Sequence, residues 1–453
     1  MKPLPIIILL FVISFQVSAQ SLLDNYIKEG LEHNQALKQQ QFYLDKAMAA
    51  LKEANGLFMP NLDLRTDYVD SRGGRTIDIP IGDLLNPVYQ NLNQINAALS
   101  PGSPEYPKLD NVSEQLNPKN FYNAYLRASM PLVNAEVWYN RKIKKHQINL
   151  QQSEIDIYKR ELVKEIKIAY YNYLKATQAV RIYEAALVLV KESQRVNQKL
   201  VENGKEVQYA LSRSKSEVSK IEAELTNAKN SQANSAAYFN FLLNKPLDAP
   251  VEVDQQLLEG LQLLPSETSL SSEKREELRK LMTAKSLNES VLKMSRSAWI
   301  PKLGIQFDLG SQGFDFEWNS NTNYYLLGVS FNMPLFAGMR NLSKISQTQF
   351  ELKALDAQTQ YVEGQLKLAA TTANNSYQAA TEQYAKSVDQ ENAASQYFNL
   401  MDKKYREGMA LYIEFLDARN EKTLSSLQRS LKYFDAWIKL AELERANASF
   451  NIN

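Results

Sequence analysis

Apolar and polar side chains alternate with strand period in four stretches of about ten residues, and each stretch adjoins a much longer one with helical spacing. Over 61–71, Leu62, Leu64, Thr66 and Tyr68 oppose Asn61, Asp63, Arg65 and Asp67. Over 120–132, Tyr122, Ala124, Leu126, Ala128 and Met130 oppose Asn123, Arg127 and Ser129. The third stretch, 302–311, sets Leu303, Ile305, Phe307 and Leu309 against Lys302, Gly304, Gln306 and Asp308. In the fourth, 324–335, Leu327, Val329, Phe331, Met333 and Leu335 face away from Leu326, Gly328, Ser330 and Asn332. One half-buried strand of a soluble domain reads the same way. Four of them, each about ten residues long, are what strands between lipid and a watery lumen require.

Helices are expected over 22–55, 135–203, 209–243, 272–297, 339–407 and 411–448. The two longest reach on the order of 100 Å at about 1.5 Å per residue. Glycine breaks each of them, at Gly204 and Gly408, where a positive φ suits the turn. Their seams share a register: Leu162, Ala169, Tyr173 and Ala176 in one, Leu366, Ala373, Tyr377 and Ala380 in the other. Steps of seven, four and three are coiled-coil spacing, and the alanines allow close approach. Tyr173 and Tyr377 are read as seam packing rather than a solute site. Two hairpins of that length exclude a compact globule.

The strand-to-helix junction Met130-Pro131-Leu132 returns as Met333-Pro334-Leu335, an offset of 334 − 131 = 203, and the helix-ending glycines differ by 408 − 204 = 204. Phe58-Met59-Pro60-Asn61-Leu62 returns as Trp299-Ile300-Pro301-Lys302-Leu303, with offset 301 − 60 = 241. The chain reads as a tandem duplication, 20–244 and 272–453, whose first copy carries 241 − 203 = 38 extra residues between its two prolines. Pro246, Pro250 and Pro265 punctuate 245–271, a linker beside the helices whose fold is left open. The extra residues fall in 72–119, rich in Pro, Asn and Gly with an apolar interior at Ile77 to Leu85; the counterpart, Gln312 to Asn323, is short and carries Trp318. Outer-membrane barrels keep their long loops outside the cell. The insertion is therefore read either as a cover for a pore mouth or as a tolerated surface insertion.

Composition narrows the classes. The 453 residues carry a formal net charge of +1, which gives no footing for nucleic acid. Residues 1–19 read as a secretory signal, with Lys2, an apolar core from Ile6 to Phe15 and Val17-Ser18-Ala19 before Gln20; a retained anchor is the alternative. No later run approaches the roughly 18 apolar residues of a spanning helix, which excludes a helical inner-membrane protein. The lack of cysteine excludes disulfides, thiolate metal sites and a lipidated N-terminal cysteine. His33 and His146 are the only histidines and lie far apart, and no G-x-x-x-x-G-K phosphate loop occurs. The expectation is a protein that is not an enzyme and uses no cofactor and no metal.

Four strands cannot close a barrel, and an open sheet edge is not tolerated in lipid, so the chain must oligomerise. Two copies give eight strands, whose interior is filled by side chains; three give twelve and leave a lumen. The order helix, strand, strand, long helix hairpin, twice behind a signal segment, resembles the TolC family of outer-membrane efflux proteins. So do Met-Pro-Leu-Phe-Ala-Gly at 333–338 and Tyr405-Arg-Glu-Gly-Met-Ala-Leu-Tyr-Ile-Glu-Phe-Leu-Asp-Ala-Arg419. The resemblance implies an α+β membrane protein: a homotrimer whose twelve-stranded outer-membrane β-barrel continues as a periplasmic α-helical coiled-coil barrel, closed at its tips at rest and opened by untwisting. It implies partners as well, a periplasmic adaptor (membrane fusion protein) on the tips and an inner-membrane pump of RND, ABC or MFS type. The place implied is the outer membrane of a Gram-negative cell, extending into the periplasm. Drug, metal ion and polypeptide all stay open as cargo. A periplasmic coiled-coil adaptor or structural envelope protein without a pore is the competing reading; salt or alkali releases an adaptor, whereas a barrel needs detergent.

By the same resemblance, Glu414 and Asp417 match the family's periplasmic constriction. Their i,i+3 spacing puts both on one helix face, and threefold symmetry makes six carboxylates around an aperture, which favours cations. Acids in the first turn also complement the helix dipole, and the two roles are compatible. Ala210 stands where the family's first hairpin often has an acid, with Lys205 and Glu206 the nearest charges. Gly204, Glu206, Val207, Gly408, Met409, Ala410 and Leu411 make the adaptor-docking surface that the resemblance implies. Phe58, Trp138, Tyr139, Trp299 and Phe336 cluster where strands meet helices, as an aromatic girdle at the membrane boundary or as core packing.

Overall fold

The structure, a computed structural model, describes residues 22–204, 208–260, 264, 275–450 and 452; the expected signal segment 1–19 lies outside the described residues. In chain order the elements are α1 (Leu22–His33), α2 (Gln35–Gly56), β1 (Asn61–Val69), β2 (Thr76–Ile79), α3 (Ile81–Leu99), β3 (Val112–Gln115), β4 (Phe121–Val133), α4 (Ala135–Glu202) and α5 (Gln208–Leu242). There follow α6 (Gln255–Leu258), α7 (Glu276–Arg296), a 3-10 turn (Ser297–Trp299), β5 (Lys302–Phe314), β6 (Asn323–Asn332), α8 (Arg340–Arg406) and α9 (Tyr412–Asn447). Residues 50–144 and 290–348 form one compact unit, and the remaining described residues form another. Among the described residues, no helix is long and apolar enough to cross a membrane.

The first unit is built on an antiparallel sheet with strand order β1-β4-β5-β6. Cross-strand partners share a face, so the register turns four separate alternations into one two-sided wall. Leu62, Ala128, Phe307 and Leu327 are successive partners, as are Leu64, Leu126, Leu309 and Tyr325. All of these except Ala128 are exposed, Leu64 to 75% and Leu327 to 63%. Asp63, Arg127 and Asp308 form a row on the reverse face. The strand expected over 324–335 ends at Asn332, two residues before Pro334, which has no N–H for a ladder. The strand expected over 302–311 runs on to Phe314, because Gln312, Gly313 and Phe314 find partners in Asn123, Tyr122 and Phe121. The insertion at 72–119 is no plain loop: it is a hairpin of β2 and β3 that carries the 19-residue α3.

The second unit holds most of α4 and α8, which are 68 and 67 residues long, and their return helices α5 and α9, of 35 and 36. The core gathers around Ile166, Tyr170 and Leu174 of α4, against Tyr26 and Ile27 of α1, Phe239 of α5 and Phe434 of α9. The seam residues Leu162, Ala169 and Tyr377 are buried. One helix is expected over 22–55, but the structure has two. Asn34 interrupts them: its Oδ1 accepts from the N–H of Leu37 at 3.0 Å, capping α2, while its Nδ2 donates to the carbonyl of Leu242 at 3.0 Å. The start of the linker is pinned rather than free. Tyr26 Oη accepts from the Glu252 N–H at 2.9 Å, Tyr170 Oη accepts from the Asp254 N–H at 3.0 Å, and Leu257 and Leu258 of α6 are buried in the core. Of the expected linker, 261–263 and 265–271 lie outside the described residues.

Candidate functional site: a polar strand face and paired hairpin tips

The polar face of the sheet is organised by charge. Arg127 of β4 lies directly across from Asp308 of β5, and its Nε and Nη2 donate to the two carboxylate oxygens at 2.7 Å each, a bidentate pair. The guanidinium also sits 5.0 Å from the ring centre of Tyr125. One row further, Tyr125 faces Gly310, where a Cβ would come within 2.4 Å of the Ala124 carbonyl and of Tyr125 Cβ. Glycine there lets the two backbones approach. Tyr324 Oη donates to Asn123 Oδ1 at 3.1 Å on the same face.

Aromatic rings mark both ends of the strands. At the helix-proximal end Phe58, Trp138, Trp299 and Phe336 are exposed, and Trp138 meets the half-buried Tyr139 edge-on at 5.3 Å. At the opposite end the turn between β5 and β6 brings a second group that the alternation alone leaves unnoticed. Phe316 stacks on Tyr68 at 5.2 Å and on Tyr122 at 5.6 Å, and Trp318 stacks on Tyr122 at 5.8 Å. Phe314, Phe316 and Trp318, spaced two apart in a short turn, were the available signal.

The hairpin tips belong to the other unit. Gly204 and Gly408 close α4 and α8 with φ of 67° and 74°, and the N–H of Met409 donates to the Lys404 carbonyl at 2.7 Å. Met409 and Leu411 are exposed and Ala410 is half-buried; Glu206 and Val207 lie outside the described residues. Glu414 and Asp417 are both exposed on one side of α9. Glu414 Oε2 accepts from the N–H of Leu411 at 2.8 Å, so this carboxylate caps its own helix. Asp417 Oδ2 accepts from Tyr397 Oη at 3.3 Å. Ala210, where the family pattern suggested an acid, is fully buried against Phe398, Tyr412 and Phe415.

Among the polar contacts that join the hairpins, two lie toward the tips. Tyr405 Oη of α8 donates to Asn197 Oδ1 of α4 at 2.7 Å, and Arg419 Nη2 of α9 donates to Glu217 Oε2 of α5 at 3.0 Å. Burial pushes the Arg419 guanidinium below its ordinary pKa, against the opposing pull of Glu217. Neither Asn197, Glu217 nor Arg419 stands out in the sequence, because each lies on a helix otherwise rich in charged and amide side chains. Among the described residues, no group of three or more histidines and carboxylates could hold a metal ion.

The family model described as outer membrane efflux protein matches residues 26–245 and 269–442. Among solved structures, a membrane protein from Pseudomonas aeruginosa superimposes with a TM-score of 0.74 at 15% identity, covering 94% of this chain and 93% of that one. The Campylobacter jejuni CmeC outer membrane channel gives 0.72 at 13% identity, covering 95% and 87%. The open state of the Neisseria gonorrhoeae MtrE outer membrane channel gives 0.72 at 17% identity, covering 94% and 88%. No curated protein sequence matches the chain. The structural likeness speaks for the fold, and the family match, spanning most of the chain, carries the assignment: this protein belongs to the outer membrane efflux protein family of outer-membrane channels, and it is not an enzyme.

Proposed function

We propose that three copies of this chain form a passive duct, a twelve-stranded barrel continued by the helix hairpins, that conducts substrates from an inner-membrane pump and a periplasmic adaptor to the outside. The observation that carries this reading is the sheet. It has four strands, an exposed apolar face, a charged reverse face, and ladder edges at β1 and β6 that no other strand pairs among the described residues. Such edges must be closed in lipid, and three copies are the smallest number that leave a lumen.

In this reading 20–244 and 272–453 are the two repeats and 245–271 joins them. Glu414 and Asp417 ring the periplasmic aperture, and Gly204, Glu206, Val207, Gly408, Met409, Ala410 and Leu411 receive the adaptor. Phe58, Trp138, Tyr139, Trp299 and Phe336 sit at the membrane's periplasmic boundary, with Tyr68, Tyr122, Phe316 and Trp318 at the outer one. The exposed apolar side chains of Met409, Leu411 and Ile413 suit a protein partner at the tip. The test is to purify the protein in detergent, measure its mass and record conductance in a planar bilayer. A threefold mass with ion-conducting steps is expected, and a monomer that carries no current rejects the proposal.

A further inference from the structure

Helix α3 wears its amphipathicity inside out. The segment 106–111 returns beside it and is clamped by the helix's polar side. Asn86 exchanges two hydrogen bonds with the backbone of Leu109, both at 2.8 Å, and Asn93 does the same with Tyr106 at 3.0 and 2.8 Å. Tyr89 stacks on Tyr106 at 5.1 Å, and at Gly82 a Cβ would lie 2.4 Å from the Leu109 carbonyl. The rotation of the helix is thereby fixed with its amides inward. Its apolar side is left facing out: Leu85, Val88, Leu92, Ile95 and Leu99 are all exposed, Leu99 to 78%.

That apolar stripe has a definite spacing. Ile81, Leu85, Val88, Leu92, Ile95 and Leu99 follow one another by four, three, four, three and four, the step of a coiled-coil seam. Leucine fills every position of one set, 85, 92 and 99, and a β-branched residue fills every position of the other, 81, 88 and 95. Leucine at a with isoleucine-like residues at d favours three or four helices over two. Helices that lie on a membrane surface carry Lys and Arg on their polar side, and α3 has neither.

We propose that α3 from three copies of this chain packs stripe to stripe as a parallel three-helix coiled coil, which plugs the outer mouth of the channel. The proposal rests on the trimeric reading above. Three helices that meet face to face under threefold symmetry lie around the symmetry axis, and that axis is also the axis of the barrel. The insertion leaves the sheet at Val69 and rejoins it at Phe121, the strand ends remote from α2 and α4. It therefore stands at the outlet, and its coiled coil both ties the trimer and obstructs the exit.

Because the chain has no cysteine, a single introduced thiol reports contact between copies without ambiguity. Oxidising purified trimer that carries Leu92→Cys should give a disulfide-linked dimer on a denaturing gel, whereas Gln90→Cys, on the far side of the helix, should stay monomeric. Leu85→Asn combined with Leu92→Asn should keep the trimeric mass and raise single-channel conductance about twofold or more. A protein that is trimeric and conducts, yet shows no Leu92→Cys crosslink or no change in conductance on the double substitution, overturns the plug and leaves the duct standing. A nitroxide on Leu92→Cys that reports a lipid environment also overturns it. Loss of the trimer in the unmodified protein instead defeats the underlying reading.

Discussion

Arg419 and Glu217 form an ion pair, Nη2 to Oε2 at 3.0 Å, inside the packed ends of the two hairpins, with side-chain exposures of 2% and 7%. Two further guanidinium nitrogens of Arg419, Nε and Nη1, have no protein partner. Removing the carboxylate alone therefore strands a buried cation. Glu217→Leu should loosen the tips by about 3–5 kcal/mol, the usual cost of breaking a buried pair from one side. Amide exchange should accelerate in 190–204 and 400–420, and Glu217→Leu with Arg419→Met should recover most of the protection. Unchanged exchange in the single variant would show that the pair does not hold the hairpins together.

Glu414 caps α9, and substitution can separate that bond from the aperture role proposed for it. Its bond to the Leu411 N–H needs an oxygen acceptor, not a charge, and an amide supplies one. Glu414→Gln with Asp417→Asn should leave exchange in the first turn of α9 as it is and lower the cation preference measured by reversal potential. Glu414→Ala should do both, reducing selectivity and speeding exchange at residues 411–415. Full cation preference in the Gln/Asn variant would exclude an acidic aperture at this tip.

Acid should weaken the helical unit through Glu277. Burial pushes its carboxyl up, but hydrogen bonds from Arg275 at 3.0 Å and Arg445 at 2.9 Å together outweigh burial and hold it at about 2. A carboxyl lowered on folding contributes its stability above its ordinary pKa near 4.5 and loses it as pH falls through the folded value. The contribution is roughly 3 kcal/mol. Thermal midpoints should drop more steeply between pH 4.5 and 2 in the unmodified protein than in Glu277→Gln, and parallel curves would refute the assignment.

Gly30 is a packing site. A Cβ there would lie 2.4 Å from Ile166 Cδ1 and 3.2 Å from Leu243 Cδ2, in the most buried part of the core. Gly30→Ala gains helix propensity of about 1 kcal/mol but overpacks the α1–α4 contact at about 1–3 kcal/mol. A net drop in the urea midpoint is expected, and Ile166→Val in the same chain should relieve part of it.

The strand alternation, the glycines at 204 and 408 and the great length of α4 and α8 were readable because each is a local property: period, turn and helix continuity depend on neighbours along the chain. The family's tip motif placed Glu414 and Asp417 on one face of α9 for the same reason. What escaped was the identity of the surface each face meets. The stripe on α3 could be counted from residue spacing, but only the clamp by Asn86 and Asn93 reveals that it points away from its own protomer.

Periodicity in this chain was enough to say which side chains share a side of a strand or helix, and the count of four strands was enough to raise the expectation of further copies. The tertiary structure decided the rest: that β4 pairs with β5 although α4 and α5 lie between them in the chain, that Asn34 breaks a helix because Leu242 lies within reach, and that Arg419 is buried on Glu217. A side chain's own spacing sets the direction in which it points, whereas the energy of pointing there comes from groups far along the chain, such as Glu217 for Arg419, 202 residues away, and no local pattern encodes them.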